Sequence, residues 1–295
     1  MICEKCGLEH EEKYCPVCRK NAVSNGIVAL IKAAFYTIFF IAVQFAVQLT
    51  YVFVKAFSAI LSGMSDADAY EAIMNAILDN LYKMTILSSL VTILAVGIFF
   101  LVRKRSVASE VRLNPVAQKH LGLTALFGAA LQVVTSVAVG LVPWPQTWVD
   151  ALPNFEGSES VFLEILAAVI LAPITEELIF RGLVHTRLRR AFPPVWAAVL
   201  SGVAFGIVHG NIIQFLYAAV LGVVLALIME RYGSLLPCIL IHIFFNGVSF
   251  LLPDYNEVSA GVIITLYLIG IAITVLCVYL IWFKKKDIQS GKELS

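Results

Sequence analysis

Residues 261–283 read GVIITLYLIGIAITVLCVYLIWF, 23 positions without a Lys, Arg, His, Asp or Glu. As a helix rising about 1.5 Å per residue, this stretch is roughly 35 Å long, enough to cross a hydrocarbon core of about 30 Å. In lipid, a single segment satisfies its own backbone N–H and C=O groups only as a helix. Working back along the chain, seven further apolar stretches have similar character: 33–54, 84–102, 121–142, 161–180, 195–209, 212–229 and 235–252. The expected fold is an all-α polytopic membrane protein with about eight transmembrane helices. Composition agrees, since 60% of the 295 residues are hydrophobic and only 14% are charged, which excludes an ordinary soluble domain. A formal net charge of +1 supplies no basic field, so nucleic acid is not an expected partner.

Charge placement tests the span count. With the N-terminus inside and eight crossings, nineteen of the twenty-one Lys and Arg fall on one side, and only Lys55 and Lys83 fall on the other. The positive-inside rule then puts both termini in the cytoplasm. The opposite connections are acidic, with Asp66, Asp68, Glu71 and Asp79 in the first, Asp150, Glu156 and Glu159 in the second, and Asp254 and Glu257 in the last. Pro143, Trp144, Pro145 and Trp148 have interfacial character. The mixed segment 106–120 is expected as an inner loop or a short surface helix.

Four of six cysteines lie in the first eighteen residues, as C-x2-C-x8-C-x2-C: Cys3, Cys6, Cys15 and Cys18. Two knuckles at this spacing can present four thiolates tetrahedrally to one structural zinc ion. A 20-residue segment has too little core to fold without metal or bridges. A small N-terminal zinc ribbon over residues 1–22 is expected, followed by a linker over 23–32, the membrane domain over 33–283 and a basic cytoplasmic tail over 284–295. No signal peptide is expected, and a zinc ribbon fits a reducing, cytoplasmic side. Cys238 and Cys277 lie in apolar spans and suit small buried side chains.

A charge near the bilayer centre costs at least about 2.5–3.5 kcal/mol, so polar groups in the spans need a partner or a task. They cluster in three spans: Glu176-Glu177-Leu178-Ile179-Phe180-Arg181, Phe205-Gly206-Ile207-Val208-His209 and His242-Ile243-Phe244-Phe245-Asn246. Each holds an i, i+4 pair on one helix face, so Glu177 can hold Arg181, Phe205 sits one turn from His209, and His242 and Asn246 aim at one spot. Glu176 is turned about 100° from Glu177, so the two carboxylates should not share a partner and one stays free for chemistry. As a helical hairpin, the chain runs roughly 21 Å from Glu176 to Arg190 and roughly 24 Å back from Pro193, returning His209 to the depth of Glu176. His242, about 14 Å above Gly233, should lie somewhat nearer the cytoplasm. His120 and His185 are expected in wet inner positions, and Glu164 at the outer interface.

EExxxR, FxxxH and HxxxN in this order on membrane helices resemble the CAAX protease and bacteriocin-processing family of intramembrane endopeptidases, which includes the prenyl-protein endopeptidases. The resemblance covers residues 161–250, and Arg231-Tyr232-Gly233-Ser234 adds to it. It implies Glu176 as general base, Glu177 holding Arg181, His209 assisting at the water, and His242 with Asn246 stabilising the oxyanion. The family is often called metalloprotease, and Glu176, His209 and His242 could instead hold a catalytic zinc, although no HExxH demands one.

The expected function is hydrolysis of a peptide bond in a membrane-associated peptide or a lipid-modified protein, in a small wet chamber facing the cell interior. Membrane lipid surrounds the domain, and the ribbon offers a docking surface for a protein partner. Two other readings stand beside it. The same polar cluster could serve a non-catalytic scaffold or bacteriocin-immunity protein. An ion- or proton-coupled transporter would need a continuous polar path to the outer face, which the apolar outer halves of the spans disfavour.

Overall fold

A chain this apolar closes its backbone hydrogen bonds locally, and among the described residues every regular element is helical. The structure, a computed structural model, describes residues 16–150, 160–253 and 258–284, with side chains from Ser24 onward. Cys3, Cys6 and Cys15 of the expected ribbon lie outside the described residues, as does the Cys18 side chain. The basic tail beyond Lys284 lies outside them too.

Helix α1 runs over Pro16–Leu61. It contains no proline after Pro16 and no glycine other than Gly26, so nothing breaks it. The expected linker at 23–32 is therefore a continuation of the first membrane helix. Ser65 caps α2, Asp66–Asp79, by accepting from Asp68 N–H. This helix buries no residue and is pinned to α1 through Tyr51 Oη, which donates to Ala76 O at 3.2 Å. Helix α3 spans Leu81–Val102 and α4 spans Gln118–Gly140. Between them the segment expected as loop or short helix holds one helical turn, Val107–Glu110.

Residues 161–188 form a single irregular helix, α5, in which π-wound segments at Ile165–Leu171 and Leu178–His185 flank a regular α turn at Ala172–Glu177. Then follow α6, Pro194–Ile207, α7, Ile212–Tyr232, α8, Leu236–Ser249, and α9, Ala260–Trp282. Gly233 ends α7 in the left-handed conformation, φ 63°, which a glycine adopts without strain. Segment 112–114 clasps this turn. Asn114 Nδ2 donates to Gly233 O at 2.7 Å, Ser234 Oγ donates to Asn114 O at 2.6 Å, and Leu235 N–H donates to Arg112 O at 2.9 Å.

All eight expected spans are helical, but among the described residues only five helices, α1, α3, α4, α7 and α9, are long and apolar enough to cross a membrane. Helices α6 and α8 have 14 residues each, about 21 Å, short of a hydrocarbon core of about 30 Å. The remaining stretch, in α5, is broken by its π segments. The three exceptions are the three motif-bearing helices.

The basic connections gather at one end of the bundle. Arg187 pairs with Glu110 at 2.7 Å, Arg189 with Glu230 at 2.8 Å, and Arg231 Nε donates to Ile281 O at 2.8 Å. Arg187 also faces the Tyr36 ring of α1, 5.9 Å from its centroid. At the other end, Asn211 Nδ2 donates to Trp148 O at 3.3 Å and Tyr82 Oη donates to Glu164 Oε1 at 2.6 Å.

Candidate active site

Construction of the site starts at Pro173. In the π segment before it, Ala172 N–H donates to Ala167 O, five residues back. In that register Ala168 O would accept from residue 173, a proline with no N–H. Ala168 O accepts instead from Asn246 Nδ2 of α8 at 2.8 Å. In the second π segment, Phe180 O accepts from Ser201 Oγ of α6 at 2.9 Å. The irregular winding of α5 thus binds both other motif helices through its carbonyls, as π segments at functional sites do.

Glu177 and Arg181 form the expected pair, Oε1 to Nη1 at 2.8 Å, with both side chains 0% exposed. The guanidinium lies over the Phe205 ring, 4.3 Å from its centroid. Its three nitrogens find no hydrogen bond of good geometry among the described residues, so the Nη1 contact is an ion pair without hydrogen-bond alignment. Room for this arrangement comes from Gly222 of α7. A Cβ there would stand 2.7 Å from Gly202 Cα, 3.2 Å from the Phe205 ring and 3.3 Å from Arg181 Nη2.

His242 Nδ1 donates to the same Glu177 Oε1 at 2.9 Å, and its Nε2 lies 3.6 Å from Glu176 Oε2. The expectation that the two carboxylates share no partner is therefore corrected. Their 100° separation around the helix matches the opposed directions of the two ring nitrogens, so one imidazole meets both. His242 accordingly lies at the level of Glu176 rather than deeper toward the basic end. His209 sits just past the end of α6, and its Nδ1 donates to Phe205 O at 2.8 Å, leaving Nε2 for other contacts. The Phe205 ring braces both histidines edge-on, with centroid distances of 4.8 Å to His209 and 5.6 Å to His242.

These groups meet in a cavity of about 890 Å³ lined by Glu176, His209, His242 and Asn246. Exposure rises along its wall, from 0% for the Glu177 side chain behind it and 4% for His242 to 18% for Glu176. The wall continues to Leu81 at the start of α3, Gly140 at the end of α4, Glu164 in the first turn of α5, Gln214 in the first turn of α7 and Ser249 at the end of α8. Each of these marks the helix end remote from the basic loops. A chamber facing the basic end is thus contradicted; π winding and the short α6 and α8 leave the space at the opposite end.

Two other expectations change. His185 is fully buried rather than wet, because α5 stays helical to Leu188 and turns the ring toward α7, where Nε2 lies 3.0 Å from Glu230 Oε1. His120 is half-buried, edge-on to Tyr232 at 5.6 Å. Nearby at the basic end, burial pushes the Glu110 carboxyl up, but Arg187 and Arg105 together hold it below its ordinary value.

Sequence reasoning assigned no role to the carbonyl of Ala168, to Ser201 or to the Tyr82–Glu164 pair. A proline three residues before Glu176 was the readable signal for the first. Among the described residues, no group of three or more His, Cys, Asp or Glu is placed to hold a metal ion.

Comparison with known proteins adds to this geometry. Residues 158–248 match the family described as Rce1-like, type II CAAX prenyl endopeptidase. The chain is 25% identical over 167 residues to a protein of Bacillus subtilis (strain 168) named "Putative membrane peptidase YdiL", covering 54% of this chain and 68% of that one. No solved structure matches the chain. The matched segment contains all three motifs, with Glu176, His209, His242 and Asn246 among its residues.

Proposed function

We propose that the chain is an intramembrane endopeptidase that hydrolyses a peptide bond in a membrane-associated peptide or lipid-modified protein. The observation that carries this reading is the pairing of Glu176 Oε2 with His242 Nε2, 3.6 Å apart on one cavity wall. That gap is too long for a hydrogen bond, yet a water oxygen about 2.8 Å from each fits over it as the apex of a triangle.

Glu176 takes one proton from this water while an Nε2 acceptor, on His209 or His242, orients the other. The hydroxide oxygen bonds to the scissile carbonyl carbon, and negative charge moves to the carbonyl oxygen. Asn246 gives one amide hydrogen to Ala168 O and keeps the second for that oxyanion. His242 joins it as a donor only with a proton on Nε2 besides the one that Nδ1 gives to Glu177. When the C–N bond breaks, Glu176 passes its proton to the leaving nitrogen, which restores the carboxylate. Glu177, Arg181 and Phe205 touch no reacting atom in this scheme; they position His242. No step is routed through a metal.

The four-thiolate spacing of Cys3, Cys6, Cys15 and Cys18 supports a structural zinc ribbon that docks a partner. Zinc content of the purified chain tests it, with the metal lost on Cys3→Ser and Cys6→Ser. The positive-inside distribution supports cytoplasmic termini.

The hydrolase reading is tested by comparing membrane proteomes of cells carrying the wild-type chain or Glu176→Gln. New peptide termini that appear only with the intact carboxylate are expected. Identical termini in both would favour a scaffold that binds peptide without cutting it.

A further inference from the structure

Apart from Lys55 and Lys83, the cations at helix ends lie on the side of the bundle opposite the helix ends that border the cavity. Its wall includes Tyr82, Ser136, Glu164 and Ser249, at the start of α3, late in α4, at the start of α5 and at the end of α8. Ser249 and Gly140 there are exposed. Arg103, Lys104, Arg105, Arg187, Arg189 and Arg231 lie at the other ends of the same helices or in the loops that join them. That end is also closed: the 112–114 clasp on Gly233 and Ser234, together with the Arg187–Glu110 and Arg189–Glu230 pairs, fills the space between α5, α7 and α8. His185, in that packing, is 0% exposed.

From this opposition we propose that the active-site cavity is entered from the extracytoplasmic side of the membrane, so that its substrate is a peptide segment presented on that side. Cationic loops stay in the cytoplasm because Lys and Arg resist translocation, and that fixes the closed, basic end inside. Water, and a peptide backbone that needs it, then reaches Glu176 past Ser249 and Ser136. The route stands on geometry and charge; that its visitor is a peptide rests on the hydrolase reading above. No Lys or Arg lines the cavity, while Glu164 does, so an anionic visitor finds no cation to pair with along the wall.

Sidedness is measurable without activity. Single cysteines at Ser136, Ser249 and Thr135, and separately at Ser106 in the exposed basic loop, would be placed in the full chain with Cys3, Cys6, Cys15 and Cys18 changed to Ser. Cys238 and Cys277 are 0% exposed and supply the blank. Spheroplasts are treated with a membrane-impermeant maleimide before or after permeabilisation. The expected result is equal labelling of the three cavity positions under both conditions, and labelling of Ser106→Cys only after permeabilisation. Three cavity positions keep the test sound should one variant fail to insert. Cavity cysteines that react only after permeabilisation, or a Ser106→Cys that reacts in intact spheroplasts, would overturn the proposal. A wild-type chain that cuts nothing yet labels as expected would leave the entry route standing and remove the peptidase.

Discussion

Helix α9 and helix α5 have similar lengths and opposite designs. Along α9, Ile264, Leu268, Ile269, Val275 and Leu276 are all more than half exposed, a face that only lipid can cover. Along α5, every residue from Glu177 to Leu188 is buried, among them Glu177, Arg181 and His185. The long helices form an apolar wall, and the three short or irregular helices form a polar interior. Ionisable groups are held in this membrane protein because protein, rather than lipid, surrounds them, and α5 gives up regular winding to provide the carbonyls that fasten its neighbours.

Breaking the interior should therefore cost much more than altering the wall. The largest stability effect is expected for Arg181→Leu, which leaves Glu177 buried without its cation at a cost of about 3–5 kcal/mol. Leu268→Ala on the lipid face, 60% exposed, should leave thermal unfolding in detergent close to wild type. Equal melting shifts for the two would erase the distinction between the regions.

Next comes Asn246→Ala, which removes both the donor to Ala168 O and the amide aimed at the cavity. Loss of one oxyanion donor predicts a fall in kcat of roughly 10²–10³. Orphaning the half-buried Ala168 carbonyl adds at most about 1–3 kcal/mol of destabilisation. Measuring kcat beside unfolding separates the two parts, and unchanged kcat in a folded variant would remove Asn246 from the chemistry.

Two glycines sharpen the contrast further. Gly222→Ala drives a Cβ to 2.7 Å from Gly202 Cα and should destabilise by about 1–3 kcal/mol. Gly97→Ala in α3 places its Cβ where nothing lies within 4 Å, and should instead be neutral or stabilise by up to about 1 kcal/mol. Matching signs in a thermal-shift assay would contradict the packing.

The smallest effect concerns the basic end. Glu110 is held below its ordinary value of 4.5 by Arg187 and Arg105, so the ionised form is favoured by folding. Its stabilisation is fully present above about pH 4.5 and is lost as pH falls through the depressed folded value. Glu110→Gln should flatten that part of the acid limb by no more than about 1 kcal/mol. A steeper acid limb in the variant would reverse the sign.

Much of this was legible in the amino-acid sequence because lipid makes hydrophobicity and charge unusually informative. Long apolar runs gave the helices, and i, i+4 spacing gave Glu177–Arg181 and Phe205–His209. Hairpin arithmetic correctly returned His209 to the cavity of Glu176. What failed were inferences from ideal helices. A 100° offset excludes a shared partner only when that partner has one point of contact, and His242 has two. His242 was placed too deep because α5 and its neighbours do not rise uniformly. Direction of opening is not readable from charge, which says nothing about where side chains leave space; the cavity borders the helix ends remote from the basic loops. Pro173 held the information about winding; reading it required knowing that Asn246 would come within reach of Ala168.

The central claim, that Glu176 activates water in this cavity, is tested most directly by purified chain in liposomes with a library of quenched fluorescent peptides. The wild type should cleave at least one peptide, and Glu176→Gln should lose roughly 10²–10⁴ in kcat while unfolding at the same temperature. Cleavage that survives intact in a well-folded Glu176→Gln chain would contradict the account.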